Sequence, residues 1–149
     1  MTEKIEILSE RLFPVDAQTL FSTFADPAKL AEWWGPHGFT NRIDTFDLRP
    51  GGTWRVTMIA SNGTDFDNHS TFEIVEPFTR IAFIHHGPIH LYRMDMAFKP
   101  EEQGTRLVWR MEFDASEELA MLEKFIAAAN EQNFDRLEAA LGLNSGIEA

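Results

Sequence analysis

The last part of the chain, residues 104–142, decides the fold and has the sequence GTRLVWRMEFDASEELAMLEKFIAAANEQNFDRLEAALG. Over residues 104–114 large apolar side chains occupy every second position, which is the period of a strand with one buried face. From residue 115 the apolar spacing changes to three and four, which predicts an amphipathic helix over about 115–142. Such a helix is roughly 40 Å long, enough to cross a whole sheet. The stretch therefore predicts a sheet and a long helix that bury their apolar faces against each other.

Upstream of this stretch the pattern indicates further strands joined by short turns. Weak alternation over residues 3–13 predicts a first strand. Asn62-Gly63 is a strong signal for a hairpin. The remaining strands are predicted over about 40–48, 53–60, 66–76, 80–86 and 91–99. Successive strands with short connections form an antiparallel meander.

Two short helices are expected between the first two strands. Asp16 is a suitable N-cap for a helix through about residue 24. Asp26-Pro27 provides a second N-cap followed by proline at the first helical position. Gly35-Pro36 ends this second helix, since proline cannot continue it. The fold class is therefore α+β, with one strand, two short helices, about six antiparallel strands and a long helix.

Composition and charge exclude several classes of function. The 149 residues correspond to one domain, and 44% hydrophobic with 25% charged residues is typical of a globular protein. A net charge of −11 disfavours nucleic acid and anionic membranes as partners. The chain has no cysteine, and we find no signal-peptide pattern and no apolar run that could span a bilayer. We therefore expect a cytoplasmic protein.

Three motifs occur in a characteristic order: LAEWWGP at 30–36, FDLRPGGTWRV at 46–56 and NFDRLEAAL at 133–141. With the predicted order of elements, they resemble the START-like (helix-grip, SRPBCC) superfamily over about residues 5–142. Within it, the sequence is most similar to the heat-shock-protein-90 ATPase activator homologue-like family. The resemblance implies a single START-like domain over residues 1–149. Its fold would be a curved antiparallel sheet of about seven strands wrapped on the C-terminal helix.

The resemblance also implies a hydrophobic cavity between the sheet and the long helix. The more apolar face of each strand, together with the helix, suggests which residues line it. The candidate pocket residues are Trp33, Trp34, Trp54, Phe72, Phe83, Tyr92, Met94, Trp109, Phe125, Ala129 and Asn133. Small side chains at residues 127–129, opposite aromatic strands, leave volume for a ligand. The competing interpretations are that alanines let the helix pack closely and that the rings simply fill the core.

Two further expectations concern the long helix. Asn133 lies on its apolar stripe, and a buried amide needs hydrogen-bond partners. The partner would be a backbone group, a water in the cavity or the polar end of a ligand. The same stripe predicts that four side chains are almost inaccessible to solvent: Leu122, Ile126, Ala129 and Leu137.

The polar residues do not form a catalytic motif that the sequence can identify. His85, His86 and His90 flank Gly87-Pro88, but their spacing is not that of a metal site, so we expect neither a metal nor another permanent cofactor. Acid–base catalysis would need a buried ionisable group, and Asp67, His69 and Tyr92 are the first candidates. No nucleophile elbow, Walker A loop or dinucleotide-binding motif occurs. The catalytic residues, if any exist, are not identified.

The sequence thus favours binding of a small, largely apolar molecule over catalysis. A cyclase- or dehydratase-type enzyme using the same pocket is one alternative. A protein-interaction module of the co-chaperone kind is the other. The resemblance, together with Ile59 and Ile89 as candidate surface residues, further suggests a homodimer.

Overall fold

Seven antiparallel strands and three helices form the fold in a computed structural model, which describes residues 3–143. The strands are β1 (Lys4–Phe13), β2 (Thr40–Phe46), β3 (Thr53–Ile59), β4 (Asp65–Glu76), β5 (Arg80–Gly87), β6 (Tyr92–Glu101) and β7 (Gly104–Asp114). The helices are α1 (Ala17–Ala25), α2 (Pro27–Trp33) and α3 (Glu117–Ala140). The order in the sheet is β1-β7-β6-β5-β4-β3-β2, so a meander from β2 to β7 is completed by β1 at its far edge. The predicted α+β helix-grip fold is confirmed.

Side-chain caps mark the starts of the three helices, and a glycine turn follows the end of α2. The Asp16 carboxylate accepts a hydrogen bond from the Thr19 N–H at 2.7 Å, and Asp26 accepts one from the Ala28 N–H at 3.0 Å. Ser116 caps α3 in the same way. After α2, Gly35 adopts φ 97°, and a Cβ there would lie 2.7 Å from the Met58 methyl group. The positive φ, which residues with a Cβ rarely adopt, is the main reason that glycine suits this turn.

Register shifts in two strand pairs bend the sheet. The pairing of β2 with β3 shifts register between residues 43 and 45. The pairing of β4 with β5 shifts twice, at residues 69–70 and 72–74. Such bulges bend a strand and increase its twist, which helps a single sheet to curve around the helices.

The core between the sheet and the helices consists largely of aromatic rings. The Trp34 ring lies 5.1 Å from the Trp54 ring and 5.5 Å from the Trp109 ring. From α3, Phe134 packs 4.8 Å from Trp109 and 5.9 Å from Phe13, measured between ring centroids. The rings of Trp33, Trp54, Trp109 and Phe134 are 2% exposed or less. Aromatic packing therefore fills the sheet face at the end near α1 and α2.

The burial of α3 differs from the predicted stripe. Leu137 is buried as expected, but Leu122, Ile126 and Ala129 are only partly buried, and the prediction for these three residues was wrong. The buried residues of α3 are Leu119, Asn130, Asn133, Phe134 and Leu137. The physical reason is that the second half of α3 packs on β1 and α2, whereas Leu122 and Ile126 in its first half border a cavity. Helical spacing identifies the apolar face of a helix but not its distance from the sheet.

Candidate functional site

A cavity of about 370 Å³ lies beside the first half of α3 and is open to solvent. We call it the outer chamber. It is lined by Phe39, Met58, Phe66, Asn68, His85, Pro88, Ile89, His90, Tyr92, Met111, Phe113, Leu122, Phe125 and Ile126. Its walls are mainly apolar, and its volume lies within the range of roughly 300–1,000 Å³ that is typical of small-molecule sites.

A smaller cavity of about 130 Å³, the inner chamber, adjoins the outer one. The two share Met58, Asn68, His85, Tyr92 and Met111. The inner chamber is further lined by Trp34, Gly35, Pro36, Trp54, Val56, Ser70, Phe83, Met94, Trp109, Asn130 and Asn133. It therefore reaches deeper, from the shared residues to the tryptophans of the core.

The structure brings most of the predicted pocket residues together. The inner chamber is lined by Trp34, Trp54, Phe83, Tyr92, Met94, Trp109 and Asn133, and the outer chamber by Tyr92 and Phe125. Trp33, Phe72 and Ala129 line neither chamber. Trp33 and Phe72 belong to the packed core, where the Phe72 ring stacks on the Trp54 ring at 6.0 Å. The outer chamber lies nearer to the start of α3 than the predicted segment at residues 127–129, because Leu122, Phe125 and Ile126 line it instead.

Several lining residues were not found from the sequence. Met111 and Phe113 share a face of β7 with Trp109, so strand alternation could have added them. Phe39 precedes β2, and Pro88, Ile89 and His90 lie between β5 and β6. These residues carry no periodic signal, and only the tertiary structure brings them to the cavity.

The amide of Asn133 has backbone partners. Its Nδ2 donates to the Trp33 carbonyl oxygen at 2.9 Å, and its Oδ1 accepts from the Gly35 N–H at 3.2 Å. Of the three partners considered from the sequence, the backbone is the one observed.

Two ionisable side chains at the chambers, His85 and Tyr92, are held in their neutral forms. The His85 ring stacks on the Tyr92 ring at 4.6 Å, and the His85 Nε2 lies 3.2 Å from the Pro88 carbonyl oxygen. Burial lowers the pKa of the His85 imidazole, and burial raises the pKa of the Tyr92 phenol. The Tyr92 side chain as a whole keeps some accessible surface because it borders the outer chamber. At neutral pH both groups are therefore uncharged.

The other polar candidates lie outside the chambers. Asp67 is exposed and forms an ion pair with Arg55 at 2.8 Å. The His69 ring lies 5.1 Å from the His86 ring, and the His86 Nε2 lies 2.9 Å from the Thr71 hydroxyl oxygen. Within residues 3–143, no three His, Asp or Glu side chains are close enough together to hold a metal ion.

A curved sheet, a long C-terminal helix and a cavity between them define a START-like helix-grip domain. The model of the family described as activator of Hsp90 ATPase homolog 1-like protein matches residues 14–142, and the chain belongs to this family. Members of this fold family commonly bind ligands or act as co-chaperones. The comparison with curated proteins found no match.

Solved structures of proteins from several bacteria have the same fold. A protein from Nitrosomonas europaea superposes with a TM-score of 0.82 at 20% identity, covering 93% of this chain and 94% of its own. A protein from Rhodobacter sphaeroides gives 0.82 at 18% identity, covering 92% of each chain. The AHSA1 protein from Silicibacter pomeroyi gives 0.77 at 23% identity, covering 93% and 99%. At these identities the similarity supports the fold alone. In the part of the chain that the structure describes, no helix is long and apolar enough to cross a membrane.

Proposed function

We propose that this protein binds a small, largely apolar molecule in the outer and inner chambers. The observation that carries the proposal is the open cavity of about 370 Å³ that Leu122, Phe125 and Ile126 border in the first half of α3. Leu122 and Ile126 are only partly buried there. A ligand that covers apolar surface of this kind gains roughly 25 cal/mol for each Å² removed from water.

The entrance to the outer chamber is also apolar. Phe125 is 72% exposed and Ile89 is 77% exposed, and both border the chamber. Large exposed apolar side chains at the rim of a cavity are typical of binding sites. Their burial by a ligand would add to the affinity.

A cyclase- or dehydratase-type enzyme in the same chambers is the second candidate. The observation that favours it is the buried, neutral imidazole of His85 stacked on Tyr92, because a neutral imidazole can accept a proton from a bound substrate. A ligand recovered unchanged after incubation supports binding alone. Recovery of a dehydrated or cyclised product would support the enzyme.

Probe binding tests the proposed function. The protein is titrated with the uncharged fluorophore N-phenyl-1-naphthylamine, and we expect saturable binding with one site per chain. Ile126→Trp places a large ring in the outer chamber and should abolish binding while the fold is kept. Ala128→Trp is the matched control, because Ala128 is exposed on the same helix. Absence of saturable binding to the wild type, or equal binding by Ile126→Trp, would overturn the proposal.

Native mass spectrometry of freshly purified protein, followed by solvent extraction, tests for a physiological ligand. We expect a co-purifying molecule that is small and mostly apolar. No permanent cofactor, nucleic acid or membrane partner belongs to this proposal, and a cytoplasmic location, which the absence of cysteine suits, is part of it.

A homodimer is part of the same proposal. Ile89 is strongly exposed and Ile59 is partly exposed, so both offer apolar surface to a second copy. Analytical ultracentrifugation across micromolar concentrations should then show a dimer. A species of monomer mass at all concentrations would remove this part.

A further inference from the structure

Three hydrogen-bonding side chains form a row across the face of the sheet that carries the chambers. Ser70 of β4 lies opposite His85 of β5, and His85 lies opposite Tyr92 of β6. Directly opposite residues share a face of the sheet, with Cβ atoms about 4.5–5.5 Å apart. All three residues line the inner chamber, and we call them the polar row. Trp54 and Phe113 lie at its two ends, so the polar row is a short strip between aromatic side chains.

The polar atoms of this row are unpaired and within reach of solvent. The buried side-chain atoms of residues 3–143 that lack a partner and are closed to solvent are Asn41 Oδ1, Trp54 Nε1, His90 Nε2 and Trp109 Nε1. The Ser70 hydroxyl, the His85 Nδ1 and the Tyr92 hydroxyl have no partner within the same residues and are not among these closed atoms. Because Ser70 and His85 are buried, the surface that their polar atoms keep faces the chamber they line.

The central residue of the polar row presents a hydrogen-bond acceptor. The His85 Nε2 lies 3.2 Å from the Pro88 carbonyl oxygen, which can only accept, so Nε2 carries the proton. Burial lowers the pKa of this imidazole and keeps it neutral, and the Nδ1 of a neutral ring protonated at Nε2 is an acceptor. The hydroxyls of Ser70 and Tyr92 can each donate or accept. The polar row therefore offers an acceptor between two hydroxyls.

Two asparagines add further acceptors to the inner chamber. The Asn68 Nδ2 donates to the Phe66 carbonyl oxygen at 3.0 Å, and the Asn130 Nδ2 donates to the Ser9 hydroxyl oxygen at 3.1 Å. In the described chain the Oδ1 of each lacks a partner and is not closed to solvent. An amide oxygen accepts only. A ligand in this chamber is therefore stabilised by a hydrogen-bond donor of its own.

The charge and polarity of the walls restrict that donor. No Lys, Arg, Asp or Glu lines either chamber, so an ammonium group would be buried there without a countercharge. A hydroxyl is uncharged, and the same oxygen donates one hydrogen bond and accepts another. The residues that line only the outer chamber are apolar apart from His90: Phe39, Phe66, Pro88, Ile89, Phe113, Leu122, Phe125 and Ile126. The remainder of the ligand is therefore apolar.

We propose that the ligand is an uncharged, apolar alcohol or phenol that enters with its hydroxyl group first. The hydroxyl lies over the polar row, donates to the His85 Nδ1 and accepts from the hydroxyl of Ser70 or Tyr92. The apolar body lies in the outer chamber. This inference rests on the proposed function, since it specifies the chemical class and the orientation of the molecule that the chambers bind.

A matched pair of probes, 2-naphthol and 2-fluoronaphthalene, tests the inference. The two molecules are similar in size, but fluorine donates no hydrogen bond. The wild type should bind 2-naphthol about threefold to tenfold more tightly than 2-fluoronaphthalene, as expected for one or two net hydrogen bonds. Fluorescence titration measures both affinities.

Variants of the polar row should reduce this preference. His85→Phe keeps an aromatic ring against Tyr92 but removes the acceptor, and Ser70→Ala removes a hydroxyl with little change in volume. His86→Phe is the matched control, because it makes the same change at the next residue of β5, which is exposed and lines neither chamber. The control should keep the wild-type preference.

A second measurement on the wild-type protein does not depend on the stability of any variant. Nitrogen-15 spectra contain the ring signals of the five histidines. The unprotonated nitrogen of His85 should move upfield when it accepts a hydrogen bond from 2-naphthol. The same signal should not make this shift with 2-fluoronaphthalene.

The outcomes separate the two proposals. Equal affinity for both probes without a nitrogen shift specific to 2-naphthol would overturn this inference and leave the proposed function intact. A preference for 2-naphthol that persists in a folded His85→Phe variant would also overturn it, as would binding of N-phenyl-1-naphthylamine without any binding of 2-naphthol. If none of the three probes binds, both proposals fall.

Discussion

The side-chain amide of Asn133 on α3 donates a hydrogen bond to the carbonyl oxygen of Trp33 at the end of α2, at 2.9 Å. The same amide accepts from the buried Gly35 N–H. The last carbonyl groups of a helix have no partner within it, so side chains must often supply one. One residue of α3 therefore completes the end of α2 and positions the neighbouring Trp34, which lines the inner chamber.

Replacing Asn133 with leucine should lower the free energy of unfolding by about 2 kcal/mol, because a buried N–H and a buried carbonyl both lose their partner. Urea denaturation measures the loss. Gln132→Leu is the control, since Gln132 accepts only from the N–H of the exposed His37. It should change stability by less than about 0.5 kcal/mol. Equal losses of unfolding free energy in both variants would show that the buried Asn133 hydrogen bonds stabilise the fold no more than the exposed Gln132 contact does.

Arg136 provides a second contact to the same helix end. Its Nη1 lies 2.9 Å from the Trp34 carbonyl oxygen and 3.1 Å from that of Gly35. Burial lowers the pKa of the guanidinium, but the group stays charged. Its positive charge interacts favourably with the negative end of the α2 dipole.

Arg136→Met should therefore cost about 2–3 kcal/mol of stability, because charged donors to several buried carbonyls are lost. Arg110→Met is the matched control, as Arg110 is exposed and pairs with Glu6 at 3.1 Å. That variant should cost less than about 1 kcal/mol. Thermal and urea denaturation of both variants compare the two costs, and a loss in Arg110→Met as large as in Arg136→Met would contradict the prediction.

Leu137 and Leu122 should respond differently to truncation, although both lie on the apolar side of α3. Leu137 is 1% exposed, so Leu137→Ala should cost about 2–5 kcal/mol through lost burial and a new cavity. Leu122 borders an existing cavity, and Leu122→Ala should cost less than about 1.5 kcal/mol while weakening the binding of N-phenyl-1-naphthylamine. Chemical denaturation and probe titration check the two effects. A Leu122→Ala variant as destabilised as Leu137→Ala would show that the first half of α3 packs tightly around Leu122.

The buried imidazole of His85 should make stability depend on pH. Burial lowers its pKa from the ordinary value of 6.5, so below about pH 6.5 the unfolded chain binds a proton that the folded protein does not. Stability should therefore fall as the pH drops through 6.5, until the pH passes the lower pKa of the folded state.

Urea denaturation at a series of pH values measures this loss. His85→Gln should flatten the pH dependence between about pH 7 and 5.5. His86→Gln is the control because His86 is exposed and its charge is a smaller cause of the lowered His85 pKa than burial, so this variant should keep most of the wild-type slope. An unchanged slope in His85→Gln would assign the effect to another group.

Much of the secondary structure follows from the sequence for local reasons. Alternating side chains in β7 identify one buried face, because successive residues of a strand point to opposite sides of the sheet. Asp16 and Asp26 identify the starts of α1 and α2, because a side-chain oxygen there satisfies a free backbone N–H. The three motifs at 30–36, 46–56 and 133–141 indicate the family, and the match over residues 14–142 agrees with them.

Only the tertiary structure decides where the cavity lies. The apolar spacing of α3 is the same for Leu122 and for Leu137, yet only Leu137 is buried. The difference arises because Asn133 and Arg136 hold the second half of α3 to the end of α2, through contacts about 100 residues apart in the chain. The first half of the helix then borders a chamber that Tyr92 and the segment between β5 and β6 also line. Such a distance between elements is a sum of many long-range contacts, and no local pattern in the sequence encodes it.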